Sequence, residues 1–312
     1  MRCAITGASG FIGRPLCAFL KRLGYQVTPI VRKVSGIEGE HVAYSTDDFY
    51  LAFTNCESVI HLAGYPRFPA PNISLTSFRR VNVDLTLELA KIAARSGVRR
   101  FVYISSIKVN GEHTLNRRPF SPDDLPNPSG EYARSKADAE LGLQRISCET
   151  GMELVIIRPP MVYGPGVSGN FLGLIRILNL GIPLPLKLVT APRAFIALDN
   201  LIDFIALCSD KNVSALADGE IFLVSDDDEL SVPALFEKLA IAYGCNLRLF
   251  SIPVSWLDTC AKVLGKSDVL GRLVNPLSMD TRKVRTILGW RPVTTIDQQL
   301  KIMASREGAS KN

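Results

Sequence analysis

The sequence is poor in histidine and has no paired-cysteine motif. Its histidines, His41, His61 and His113, lie far apart, and none of its seven cysteines (3, 17, 56, 148, 208, 245 and 260) forms a Cys-x-x-Cys pair. Metal centres built from these residues need clustered ligands, so no metal site is expected. An odd cysteine count in a chain long enough to build its own core argues against a disulfide scaffold, and reduced thiols of a cytoplasmic protein are expected. No charged leader followed by an apolar stretch precedes the first strand-like run, so a signal peptide is not expected. The most apolar stretch, 195–208, is broken by Asp199 and Asp203, which argues against membrane insertion. There is no Lys/Arg run of the nucleic-acid-arm kind. The +6 excess (36 basic, 30 acidic residues) is spread along the chain, and the phosphates of a small ligand explain it as well as a polymer would. Lys301, Arg306 and Lys311 read as a solvated C-terminal tail.

What is present is an ordinary globular supply of core residues: 312 positions, 47% hydrophobic and 21% charged. That length suits two units or one elaborated domain. In the first half, short apolar runs alternate with helical periods. Strands are predicted at 2–6, 26–31, 58–62, 100–105 and 153–158, with helices at 11–23, 75–95 and 131–150. Gly24, Gly97 and Gly151 mark the helix stops. Strands alternating with helices of this length predict a doubly wound parallel α/β sheet over 1–160. After Pro159-Pro160 the elements become shorter and mixed. Helices are expected at 170–180, 200–209, 232–243 and 255–264, and strands at 220–224 and 247–250. Residues 161–312 therefore read as a smaller mixed cap over the carboxyl edge of the sheet, with segments returning to it.

Thr6-Gly7-Ala8-Ser9-Gly10-Phe11-Ile12-Gly13 follows the first strand and opens the first helix. Glycines at 7, 10 and 13 permit a tight turn, close approach to a pyrophosphate, and packing of helix on strand, while the helix N-terminus offers N–H groups to phosphates. A dinucleotide is the expected ligand. The second strand ends in Arg32-Lys33 where an NAD site usually carries an acid. A basic pair there suits a 2′-phosphate, so NADP(H) is favoured and NAD(H) is the alternative.

Tyr132 and Lys136 stand four apart at the start of a helix and so share a face. A neighbouring ammonium favours the phenolate and brings a tyrosine toward acid–base use. Alone, such a pair is an ordinary surface feature. Joined to the glycine loop and to Ser105-Ser106 at a strand's carboxyl end, it points to a hydroxyl or carbonyl reaction beside a nicotinamide.

The chain resembles the extended short-chain dehydrogenases/reductases of the nucleotide-sugar epimerase/dehydratase group. The motifs are the glycine loop, His61-Leu-Ala-Gly64, Val81-Asn-Val83, Ser105-Ser106, Tyr132-x-x-x-Lys136, 158–165 (RPPMVYGP), 193–201 (RAFIALDNL) and Leu288-Gly-Trp290. The resemblance implies that Gly7, Gly10 and Gly13 surround the pyrophosphate, that Leu62, Ala63 and Gly64 line the cofactor, and that Asn82 lies near its nicotinamide end. Ser9, Phe11, Ile12, Ser105 and Pro159 complete the implied cofactor set. It also implies Tyr132 as acid/base, Lys136 as the residue that holds the ribose and tunes Tyr132, and Ser106 as the residue that orients the reacting oxygen. Asn170 and Arg193 match positions that meet a nucleotide diphosphate, with Arg272 as a further contact; a structural salt bridge is the alternative for Arg193.

Departures narrow the reaction. The Thr-Asp-Glu triplet of sugar dehydratases is replaced by Ser106-Ile107-Lys108, which has no acid. The acidic second-strand end and the Tyr-Phe-Asn run of UDP-galactose-type epimerases are also absent. Ser105-Ser-Ile-Lys-Val-Asn-Gly111 resembles a subgroup that includes 4-ketoreductases of UDP-linked deoxy-amino sugars. The expected activity is NADPH-dependent reduction of a UDP-4-keto-6-deoxy-N-acetylhexosamine by a homodimer. The alternatives are a UDP-sugar 4-epimerase with retained NAD and a non-catalytic dinucleotide sensor. Lys108 either reaches the substrate or cofactor from the strand-end loop or is solvated.

Overall fold

A computed structural model of the chain describes residues 1–65, 75–263, 265 and 267–309. Short apolar runs without polar alternation build its main sheet, as strands covered on both faces require. The first half comprises β1 (Arg2–Thr6), α1 (Gly13–Arg22), β2 (Gln26–Val31), β3 (His41–Val42), α2 (Thr46–Phe53) and β4 (Ser58–His61). It continues through α3 (Leu75–Arg79), a π-turn (Arg80–Asp84), α4 (Leu85–Arg95), β5 (Arg100–Ile104), a 3₁₀ turn (Ile107–Val109), α5 (Gly130–Thr150) and β6 (Glu153–Arg158). The remainder comprises β7 (Met161–Tyr163), α6 (Gly169–Asn179), β8 (Phe195–Ala197), α7 (Leu198–Ser209), β9 (Ile221–Leu223) and α8 (Val232–Tyr243). It ends with α9 (Val254–Val263), α10 (Ser267–Val274), α11 (Arg282–Leu288) and α12 (Ile296–Ala309).

Seven strands pair in the order β3-β2-β1-β4-β5-β6-β9, all parallel. This is the doubly wound sheet the sequence predicts. Strand order reverses between β1 and β4, and the crevice over their carboxyl ends is where such sheets take ligands. One face is covered by α1 and α7, whose Leu16, Leu20, Leu201 and Ile205 pack with Cys3, Ile5, Val102 and Val155. The other is covered by α2, α4 and α5, where Phe53, Leu89, Ala93, Ala139 and Leu143 meet Val59, Phe101 and Tyr103. A third cluster joins α6, α8 and α12 through Phe171, Ile175, Leu235, Phe236, Leu239 and Leu300.

The second half of the chain is threaded into the first. β9 is the outermost strand beside β6, and α7 covers the sheet. Trp290 packs in the same core and its indole N–H donates to Asp203 Oδ2 at 2.7 Å.

Three expectations are corrected. The helix predicted over 75–95 is interrupted by the π-turn, which re-aims Asn82. The strand expected at 247–250 is a single bridge, Leu249 to Leu184, because the chain opposite turns at 185–188 directly after Leu184, and the next amide to reach the Phe250 carbonyl is that of Lys187, at 3.3 Å. Lys301 and Arg306 are exposed, but they lie on α12 rather than on a tail: its Ile296, Leu300 and Met303 are buried at helical spacing against α8; Lys311 lies outside the described residues. All seven cysteines are free thiols. Among the described residues no helix is long and apolar enough to cross a membrane, and no three His, Cys, Asp or Glu residues are grouped for a metal ion.

Candidate active site

Two clefts open over the carboxyl edge of the sheet. The first, of about 240 Å³, is lined by Thr6, Gly7, Ser9 and Gly10 after β1, by Arg32 after β2, and by Leu62, Ala63 and Gly64 after β4. Phe49, Val81, Leu85 and Leu89 give it an apolar floor. Gly7 has φ of +72°, and a Cβ there would lie 2.8 Å from the Ala63 amide nitrogen. A Cβ on Gly13 would lie 2.8 Å from Ala8 Cα. The glycines thus bring the loop, β4's end and the start of α1 together as the fold requires. A narrow groove with backbone amides at a helix start and an apolar pocket beyond fits a dinucleotide.

Arg32 is exposed on the groove's rim; Lys33 is exposed and does not line it. No acidic side chain among the described residues lines this groove. The two acids that follow β2 are occupied elsewhere. Glu38 pairs with Lys21 at 3.0 Å. Glu40 accepts from the Ser35 hydroxyl at 2.6 Å and from the amides of Ser35, Gly36 and Ile37, which holds its carboxyl down at about 2. Arg14 ties the same loop to α1 through the Ser35 carbonyl at 2.9 Å.

The inner end of the groove is organised by Asn82. Its Oδ1 accepts from the Tyr65 amide at 2.7 Å, and its Nδ2 donates to Ser135 Oγ at 3.0 Å. Ser135 in turn donates to the Tyr132 carbonyl at 2.8 Å. A Cβ on Gly64 would lie 3.0 Å from Asn82 Oδ1 and 3.8 Å from Lys136 Nζ, so loop, π-turn and α5 converge on one point. Lys136 is 5% exposed. Its ammonium donates to the Ile104 carbonyl at 2.9 Å and lies 4.6 Å from the centroid of the Tyr103 ring. Burial pulls its pKa down to about 8, and the Glu140 carboxylate opposes that pull.

The second cleft, of about 440 Å³, is lined by Ser106, Lys108 and Tyr132 on the sheet side and by Ser168, Arg193 and Arg272 on the cap side. Ser106 caps the 3₁₀ turn, accepting from the Lys108 amide at 3.3 Å. Lys108 pairs with Glu112 at 3.0 Å and is partly buried, so its ammonium is held at the cleft rather than in open solvent. Arg193 sits in a backbone lattice with Leu230 and Leu277 and donates to the Asn275 carbonyl. Arg272 reaches this cleft and also lines a separate polar hollow with Glu112, His113, Ser129 and Asn275.

Several sequence candidates stand elsewhere. The Ser105 hydroxyl donates to Glu140, behind the sheet edge and in neither cleft. Pro159 is buried, and its carbonyl accepts from the Ile107 amide at 3.0 Å to hold the 3₁₀ turn. The side chains of Phe11 and Ile12 are half-buried against the core and line neither cleft. Asn170 opens the first turn of α6, beside the cleft residue Gly169, but its side chain lies outside the described residues. The sequence reading misses Tyr65, Ser135 and Glu140. Their roles depend on contacts across 17 or more positions, and no local pattern signals them.

A family model described as NAD dependent epimerase/dehydratase matches residues 3–224. The chain is 38% identical over 307 residues to UDP-glucose 4-epimerase of Vibrio cholerae, covering 95% of this chain and 92% of the relative. It is 31% identical over 174 residues to UDP-2-acetamido-2,6-beta-L-arabino-hexul-4-ose reductase of Pseudomonas aeruginosa, covering 55% of this chain and 38% of the relative. A solved short-chain dehydrogenase/reductase superfamily protein from Agrobacterium tumefaciens, with bound NAD, superposes with a TM-score of 0.79 at 21% identity, covering 100% of this chain and 99% of that one.

Proposed function

The chain belongs to the NAD dependent epimerase/dehydratase family, and from that premise we propose that it reduces the C4 carbonyl of a UDP-linked 4-keto-6-deoxy-N-acetylhexosamine with NADPH. The observation that carries this reading is the second cleft. Ser106 and Tyr132 share it with Lys108, Arg193 and Arg272, and no carboxylate among the described residues lines it. Cations across from a hydroxyl pair suit a sugar whose far end is a diphosphate. The missing carboxylates speak against elimination across C5 and C6, which needs an acid and a base beyond Tyr132.

Gly7, Gly10, Gly13, Leu62, Ala63 and Gly64 hold the dinucleotide in this reading, and Arg32 supports its 2′-phosphate because no acid competes for that rim. NADPH bound there supplies hydride to C4. Tyr132 gives its phenolic proton to the C4 oxygen, so the carbonyl becomes a hydroxyl with charge and atoms balanced. Ser106 donates a hydrogen bond to the same oxygen and fixes its direction. Lys136, charged below about pH 8, draws the phenol toward ionisation from its buried seat on Ile104. Arg193 and Arg272 take the diphosphate, with Asn170 as the further contact the resemblance implies, and Lys108 faces the sugar. The same reading includes a homodimer paired through α4 and α5.

A C4 epimerase is the second reading. It is favoured by the 38% identity, across 95% of this chain, to a protein named UDP-glucose 4-epimerase. One experiment separates the two: identify the dinucleotide that co-purifies, then supply NADPH with the UDP-4-keto sugar and, separately, UDP-glucose alone. Stoichiometric NADPH oxidation with the keto sugar supports the reductase. Retained NAD with conversion of UDP-glucose to UDP-galactose replaces it with the epimerase.

A further inference from the structure

A buried chain of hydrogen bonds runs behind the dinucleotide groove and is used by no step above. His61, the last residue of β4, is fully buried. Its ring stacks on Tyr103 at 5.9 Å with an 18° interplanar angle and lies 5.8 Å from the Phe101 ring. Nδ1 lies 2.7 Å from Thr6 Oγ1, and Nε2 lies 2.9 Å from Thr86 Oγ1. Thr86 Oγ1 is also 2.9 Å from the Asn82 carbonyl oxygen.

Proton counting fixes the direction of this chain. The Asn82 carbonyl can only accept, so the single hydroxyl proton of Thr86 goes to it. Thr86 Oγ1 must then accept from His61, which puts the imidazole proton on Nε2. Nδ1 is left as an acceptor and takes the Thr6 hydroxyl proton. A second proton on the ring would reverse that bond, with Thr6 Oγ1 accepting from Nδ1–H and its own hydroxyl proton turned away from the ring. Burial also opposes the charge, holding the imidazole pKa down at about 3, with the Lys136 ammonium adding to the effect.

The two ends of the chain are functional places. Thr6 lines the dinucleotide groove immediately before Gly7. Asn82 clamps the Tyr65 amide on one side and Ser135 of the acid–base helix on the other. We propose that His61 is a positioning residue that joins the dinucleotide loop at Thr6 to the π-turn at Asn82, so that the cofactor groove and the helix bearing Tyr132 and Lys136 are held as one unit. This rests on the dinucleotide reading of the groove and is independent of which sugar is used.

The test is a double-mutant cycle on NADPH affinity, read by the fluorescence of the bound nucleotide, in Thr6→Val, Thr86→Val and the double variant. The two threonines bond opposite nitrogens of one ring, so each single loss breaks the same link. Each single variant is expected to weaken binding about three- to tenfold, with the double variant no weaker than the worse single. Multiplicative losses would show the threonines acting separately and would overturn the relay while leaving the dinucleotide reading intact. Wild-type protein that binds neither NADPH nor NADH would overturn both. Nitrogen-15 NMR of wild-type His61 is a second reading that needs no variant to fold. The Nε2–H tautomer, unchanged from about pH 5 to 8, is expected. A neutral ring protonated at Nδ1 would contradict the relay, because Thr86 would then give its proton to Nε2 and release the Asn82 carbonyl.

Discussion

In the proposed reaction Tyr132 carries the proton transfer, and its neighbours divide the work of placing it. Ser135 holds its carbonyl, Asn82 holds Ser135, and Lys136 lies one turn further along the same helix with its ammonium on Ile104. Removing only the phenolic oxygen leaves this scaffold intact. Tyr132→Phe should therefore lower kcat about 10²- to 10⁴-fold while NADPH affinity, measured by direct titration, stays within about twofold. Lys136 makes a separate pH prediction. Its folded-state pKa of about 8 lies below the ordinary 10.5, so the unfolded chain keeps the proton over a range where the folded chain has released it. The cost of burying this charge is fully present below about pH 8 and is relieved as pH rises toward the ordinary value. Between pH 8 and 10.5, wild-type stability should rise relative to Lys136→Met, by an amount on the order of 3 kcal/mol, in chemical denaturation at each pH. A flat difference between the two proteins across that range would place Lys136 in water. The Tyr/Lys pair is legible in the sequence because a spacing of four is a local helical fact. Ser105 misleads for the complementary reason. It is adjacent to Ser106, but successive residues leaving a strand face opposite ways, and only the position of Glu140 on a distant helix shows which one turns to the cleft.

At the scale of elements, the seam between β5, β6 and α5 carries the site's rigidity. Glu140 and Arg158 are 3% and 2% exposed, and the guanidinium meets both carboxylate oxygens, at 3.0 Å from Nε and 2.5 Å from Nη2. Arg158 Nη1 also donates to Asn110 Oδ1 at 2.9 Å, and Asn110 donates to the Ser121 carbonyl at 2.8 Å. The pair thus ties the end of β6 to the helix of Tyr132 and to the loop that follows Ser106. Breaking it from one side leaves a charged carboxylate buried without its partner. Arg158→Met should destabilise the protein by about 3–5 kcal/mol in urea denaturation, and adding Glu140→Gln should restore part of that loss. Equal losses in the single and double variants would mean that packing alone is at stake. The apolar strands and the glycine stops are legible at this scale, since burial on both faces leaves unbroken apolar runs. The π-turn is not, because Arg80–Asp84 carries no proline, glycine or other local mark of an extra residue. The failed strand at 247–250 shows the opposite error: a good strand pattern opposite a chain that turns away at 185–188 finds one partner and stops.

Across the whole molecule, the sheet and the cap are separated by chemistry but not by folding. β9 closes the sheet beside β6, α7 covers one of its faces, and Trp290 near the chain's end packs in the same core. A fragment of residues 1–160 loses all three. It should expose the apolar face around Val102 and Val155 and show no cooperative thermal transition by circular dichroism. A sharp transition would mean that the first half holds its own core. The +6 formal charge also takes a place at this scale: Arg32 stands on the rim of one cleft, Lys136 is buried between the two, and Lys108, Arg193 and Arg272 line the other. In the proposed reaction hydride passes from a nicotinamide in the first cleft to C4 of a sugar in the second. Reacting the UDP-4-keto sugar with NADPH deuterated at the transferring position of the nicotinamide ring, and analysing the product by NMR, follows that atom. Deuterium at C4 of the reduced sugar is the predicted result; a product without deuterium at C4, or no reduction of the keto sugar at all, would contradict it.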